Sequence, residues 1–112
     1  MTTPMTFAHA IDLYRSIYKR FSAIEQRPWG AEGAVIELTK QVGELARHIM
    51  VAEGYYYKNR PGYSAEKEGI GDELADILAQ LIRLADHYEI DLVEAHIKAR
   101  QAEDESLQKK GL

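Results

Sequence analysis

Apolar residues recur at intervals of three and four through most of the chain, and proline stands only at positions 4, 28 and 61. That repeat puts an apolar stripe on a helix, and a proline inside it would remove a backbone donor and break it. The prolines fall between the stripes and act as punctuation. Phe7, Ile11, Tyr14, Tyr18, Phe21 and Ile24 mark a first helix over Met5–Glu25, with Thr3 as its cap and Pro4 in its first position. Arg27-Pro28-Trp29-Gly30 ends it. Val35, Leu38, Val42, Leu45, Ile49 and Ala52 mark a second helix over Glu32–Glu53, closed by Gly54. The Gly54–Ser64 stretch holds four of the seven tyrosines and reads as a loop because of Asn59, Pro61 and Gly62. Ser64 is expected to cap a third helix, Ala65–Tyr88, with a broad apolar face from Ile70 to Ala85. Asp91-x-x-Glu94 is close to a capping box and opens a fourth helix that reaches Lys109, almost wholly polar after Ala102. No stretch alternates with period two. The expected class is all-α, a four-helix bundle in a single domain over residues 1–112.

A domain of 112 residues buries roughly two thirds of its unfolded surface, so the margin is modest and completion by homo-oligomerisation is expected. The absence of cysteine removes disulfides, thiolate zinc sites and cysteine nucleophiles. No apolar run approaches the length of a membrane span and the N-terminus lacks a signal-peptide pattern, so a cytoplasmic location and no membrane partner are expected. The net charge of -4 is unevenly spread. Nine acids lie between Glu66 and Glu94, opposed only by Lys67 and Arg83. Such an excess disfavours nucleic acid as a partner there and leaves two choices, a solvated surface or a cation site.

Glu37, Gln41, Glu44 and His48 follow one another at steps of four, three and four, forming one strip on the second helix. Glu73 and Asp76 share a face of the third, with Asp72 a turn before Asp76. Two antiparallel helices can bring Glu44, Glu73 and Asp76 to one point. Carboxylates that meet unpaired repel one another, whereas oxygen donors on rigid helices suit a hard cation such as Mg²⁺. On spacing alone the solvated-surface reading is the stronger of the two.

The run Leu38-Thr-Lys-Gln-Val-Gly-Glu-Leu-Ala46, followed after a loop by Asp72-Glu-Leu-Ala-Asp-Ile-Leu78, resembles the MazG-like nucleotide pyrophosphohydrolases. The resemblance extends from Trp29 to Lys98 and includes the Ile-Asp-Leu start of the last helix. It implies an all-α hydrolase that uses Mg²⁺, with Mn²⁺ as an alternative, to convert a nucleoside triphosphate, often a deoxy form, to the monophosphate and pyrophosphate. It implies assembly as a homodimer or homotetramer. Carried over by position, Glu44 matches the last glutamate of an E-E-x-x-E motif, and Glu73 and Asp76 match an E-x-x-D pair. These three are the implied catalytic carboxylates and metal ligands, with Gln41 as a neutral fourth ligand. Trp29 is the implied base-stacking residue and Lys98 a phosphate contact.

Three positions depart from that pattern. Lys40 and Gln41 stand where the family carries glutamates, and Ala102 stands where an asparagine follows the lysine. Gln41 offers a carbonyl oxygen but no charge, and Lys40 is spaced to pair with Glu44. The alternative reading is therefore a MazG-like helical module with weakened or absent turnover, which binds nucleotide or serves in assembly. Tyr55, Tyr56 and Tyr57 are candidates for a base pocket or a subunit contact, and His48 for proton transfer or an ordinary partly exposed histidine.

Overall fold

Four helices account for the regular structure of the described residues. The computed structural model describes residues 4–55 and 67–112, and these contain no strand. The helices are α1 (Phe7–Ser22), α2 (Ala31–Ala52), α3 (Lys67–His87) and α4 (Leu92–Lys109). No helix among the described residues is long and apolar enough to cross a membrane. Ser64, and the tyrosines at 56, 57 and 63, lie outside the described residues.

The ends of the helices follow local chemistry. α1 begins later than Pro4 suggests, because Thr6 caps it: its Oγ1 accepts from the His9 amide at 3.1 Å. A hydroxyl in that place satisfies an otherwise orphaned donor, which proline at residue 4 cannot do. α2 closes as expected on Gly54, whose φ of 72° lets the Tyr55 amide reach the Met50 carbonyl and the Gly54 amide reach Val51. α4 is capped by Asp91, whose carboxylate accepts from the Glu94 amide at 3.0 Å. α3 ends with the same turn as α2, the Ile90 amide on the Ala85 carbonyl and that of Glu89 on Asp86. Here, however, the left-handed residue is Glu89, with a φ of 55°.

α2 lies along α3, and α1 packs more lightly on α3. α4 has no buried residue and no comparable neighbour. Among the described residues the buried apolar side chains are Ile11, Ala34, Ile82 and Ala85. α2 is rotated from the expected orientation. Ala34, Leu38, Gln41, Leu45 and His48 lie buried or part-buried, whereas Val35, Val42 and Ile49 of the apolar stripe are exposed. The small side chain of Ala34 and the bare backbone at Gly69 allow α3 to approach this mixed face. Four of the six α2 stripe residues, Val35, Val42, Ile49 and Ala52, are therefore exposed, joined by Ile36 and Met50.

The chain is open for its size. Its radius of gyration is 18.0 Å, against about 13 Å for a compact domain of this length. Its accessible surface is 8988 Å², against about 6,200 Å² for a folded monomer of this mass.

The left-handed turn at Glu89 generates a test. A non-glycine residue there carries backbone strain on the order of 1 kcal/mol. Glu89→Gly is expected to raise unfolding stability by up to about 1 kcal/mol, the relief exceeding the added chain entropy. Urea unfolding measures it, and a loss of stability would contradict a strained turn.

Candidate functional site

The polar strip of α2 meets α3 along a part-buried seam. Gln41 donates through Nε2 to Glu37 Oε1 at 2.9 Å, and the Lys40 ammonium lies 3.5 Å from the same oxygen. Lys40 therefore pairs with Glu37 and not with Glu44. The reason lies one turn on: Arg47 donates to Glu44 Oε2 from Nη2 at 2.6 Å and from Nε at 3.1 Å. An arginine fork at i,i+3 satisfies that carboxylate better than a flexible ammonium does.

His48 spans the seam. Its Nε2 stands 3.9 Å from Glu73 Oε1, and its ring lies against Gly69, so close that a Cβ at residue 69 would sit 2.8 Å from the imidazole. Glu73 Oε2 is buried with no hydrogen-bond partner. Asp76, one turn further along α3, is exposed, as is Asp72. Among the described residues no group of three or more His, Asp or Glu side chains is assembled to hold a metal ion. Glu44 is held by an arginine of its own helix, Glu73 lies beside a histidine of α2 and Asp76 is open to solvent.

Gln41 and Asp76 border a cleft of about 380 Å³ that continues to Trp29 and Tyr14. That volume lies in the range of small-molecule sites. Arg83 organises its wall. The guanidinium carbon sits 4.6 Å from the Trp29 ring centre and 5.1 Å from that of Tyr18. Its Nε donates to the Tyr14 hydroxyl at 2.9 Å, and its Nη1 lies 3.9 Å from Glu25 Oε2. An arginine only 11% exposed is thereby held by two aromatic faces, a phenol and a carboxylate.

A second network adjoins it. Asp86 accepts from Arg15 Nε, at 3.1 and 3.0 Å to its two oxygens, and from the Tyr18 hydroxyl at 2.6 Å. Burial pushes the Asp86 carboxyl up, but the hydrogen bonds from Arg15 and Tyr18 together outweigh it and leave the group below the usual aspartate range. Tyr18 is pushed up to about 12, first by burial and then by its bond to Asp86.

Of the residues singled out from the sequence, Trp29, Gln41 and Asp76 line one cleft, and Glu73 lies a turn from Asp76. Glu44 faces Arg47. Lys98 is exposed on α4 and does not border the cleft. Tyr55 is 73% exposed. Arg83, Glu25, Gln80 and the Arg15–Tyr18–Asp86 network escaped sequence reasoning. The available signal was Arg83 itself, a lone arginine among acids on an otherwise apolar stretch of α3. No protein-family model matches the chain, and no curated protein sequence matches it.

The network sets a pH dependence. Because the folded-state pKa of Asp86 is depressed, its contribution is complete above the unfolded value of about 3.9. It is lost as pH falls through the lower folded value. Tyr18 acts in the opposite sense, contributing fully below about pH 10 and losing that contribution as pH rises toward its folded pKa. Asp86→Asn is expected to cost about 1–3 kcal/mol at neutral pH. The difference between wild type and variant should shrink below about pH 4. Urea unfolding between pH 2 and 7 checks this, and a difference independent of pH would contradict the assignment.

Proposed function

We propose that the chain is a Mg²⁺-dependent nucleoside triphosphate pyrophosphohydrolase of the MazG-like type, which also accepts Mn²⁺. The single observation that carries the reading is the shared cleft. Gln41 of the first motif and Asp76 of the second border the same space as Trp29, so a bound nucleotide would have its phosphates toward the motifs and its base toward the indole.

The donors fit a hard cation in kind, since Gln41, Glu44, Glu73 and Asp76 offer only oxygen. The buried, unpartnered Glu73 Oε2 is the oxygen most in need of a positive partner. Glu73 and Asp76 would hold Mg²⁺ with Gln41, and Glu44 would join by exchanging its bond to Arg47. Bound there, the metal would neutralise phosphate charge and activate water. The chain's own side chains hold and orient the triphosphate, and Trp29 offers an aromatic face to the base. Three carboxylates cannot balance two divalent ions alone, so the triphosphate would bring the remaining negative charge, and metal and nucleotide would bind together.

The rival reading, a module without turnover, is favoured by the Arg47–Glu44 and Gln41–Glu37 bonds, which occupy first-motif groups. Pyrophosphate release over a panel of ribo- and deoxynucleoside triphosphates with Mg²⁺ or Mn²⁺ decides between them. Turnover is expected, and Glu73→Gln is expected to lower it by about a hundredfold or more with the circular-dichroism spectrum unchanged. A silent wild-type panel would establish the module, and an active Glu73→Gln variant would remove Glu73 from the site.

Self-association belongs to the same proposal. Val35, Thr39, Val42, Ala46 and Ile49 recur at steps of four and three along the outward face of α2, with Ile36, Gly43 and Met50 beside them. A face of this pattern suits a second helix of the same kind. The surface in excess of a folded monomer is large enough for a stable interface. Light scattering on the eluting protein is expected to give a homodimer or homotetramer, and a 12.7 kDa species at micromolar concentration would contradict it.

A further inference from the structure

Among the described residues, Arg83 is the one basic side chain that borders the cleft. An arginine beside a candidate triphosphate site invites a reading as a phosphate contact. Its surroundings argue for a different role. Nε donates to the Tyr14 hydroxyl, Nη1 faces the Glu25 carboxylate at 3.9 Å, and the guanidinium lies against the Trp29 and Tyr18 rings. Glu25 offsets its charge, and its flat surface is taken by aromatic rings. Tyr14, Glu25 and Trp29 are themselves walls of the cleft. Tyr14 comes from α1, and the other two come from the connection between α1 and α2. One side chain of α3 therefore ties three separate pieces of wall together.

Trp29 needs such a tie. It stands outside the helices, in the connection before Gly30, and is 41% exposed. The root of its side chain passes Gly33, where a Cβ would lie 3.6 Å away, so glycine gives the indole no side chain to rest on. The guanidinium carbon, 4.6 Å from the ring centre, does. Trp29 and Arg83 also border a second space of about 200 Å³, which reaches Tyr18, Asp86 and His87. The stacked pair thus stands between the two spaces, and a swing of the indole would open the cleft into its neighbour.

We propose that Arg83 is a positioning residue for ligand binding, which acts through Trp29 and does not touch the phosphates. It holds the indole at the edge of the cleft before a ligand arrives, so that binding meets a wall already in place. The choice of a nucleotide as ligand rests on the function proposed above, and the positioning role rests on the contacts of Arg83.

Arg83→Lys tests it, because lysine keeps the charge and loses the plane and the fork. Trp29 is the only tryptophan of the chain, so acrylamide quenching of its fluorescence reads the position of the indole directly. With the circular-dichroism spectrum unchanged, the quenching constant is expected to rise by about half or more. Calorimetric titrations use α,β-imido deoxynucleoside triphosphates with Mg²⁺, and the matching monophosphates. Both are expected to bind about tenfold more weakly to the variant. In a Trp29→Ala background the same change is expected to cost less than about threefold, since a residue that acts through another is silent once the other is gone. Tyr14→Phe, which frees Arg83 Nε and keeps the ring, is the milder variant should lysine unfold the chain, and it is expected to shift quenching and affinity in the same directions. Unchanged quenching, unchanged affinity, a loss confined to the triphosphate analogues, or a tenfold loss that persists without Trp29 would overturn the inference. So would a wild type that binds none of the nucleotides. Binding that Arg83→Lys weakens in a protein without pyrophosphate release would overturn the hydrolase reading and leave the positioning role standing. Release by a protein whose affinity is indifferent to Arg83→Lys would do the reverse.

Discussion

The arrangement around Arg83 is the interaction on which the rest of the structure depends. With Ile11, Ala34, Ile82 and Ala85 as the buried apolar residues, hydrophobic contact alone gives α1 little hold on α3. The Arg83 guanidinium, set against Trp29, Tyr18, Tyr14 and Glu25, supplies that hold and draws in the connection between α1 and α2. Arg15 and Tyr18 extend it to Asp86. One charged side chain thus sets the position of the indole that edges the cleft, so the packing of α1 and the shape of the candidate site are the same problem.

α2 shows a second constraint. A helix can satisfy its apolar stripe within its own chain or leave part of it for another. α2 turns Gln41 and His48 toward α3 and leaves Val35, Val42 and Ile49 outside. That orientation keeps polar groups from both motifs in one seam, at the cost of an exposed apolar face. The open dimensions of the chain and the sparse core are two expressions of that choice.

Much of the helical layout was legible in the sequence because periodicity and local capping are short-range. Gly54 and Asp91 close and open their helices as their side chains require. The sequence offers threonines at positions 2, 3 and 6 as caps for α1, and Thr6, not the expected Thr3, is the one that meets the His9 amide. The rotation of α2 was not legible, because an apolar stripe states which face is hydrophobic and not which neighbour receives it. For the site, helical spacing suggests that Glu44, Glu73 and Asp76 meet; of the two strips, Gln41 and Asp76 border one cleft, while Glu44 turns to Arg47. It gives no sign of Glu25 and Gln80, which each bury an oxygen without a hydrogen-bond partner, a property of three-dimensional packing with no sequence signature. It also missed Arg47, whose fork to Glu44 is one of several pairings the same strip permits.

The bare backbone at Gly69 makes this position a spacing gauge for the seam. The imidazole of His48 fills the place where a side chain would begin, so the approach of α2 to α3 at this level is limited by that ring and by nothing on residue 69. Any residue larger than glycine would act as a wedge, displacing the ring or prying the helices apart. Glu73 sits one turn beyond Gly69 on the same helix, and its contact with His48 would be the first to change. The width of the seam at its carboxylates is therefore metered by a residue that contributes no atoms of its own to the chemistry.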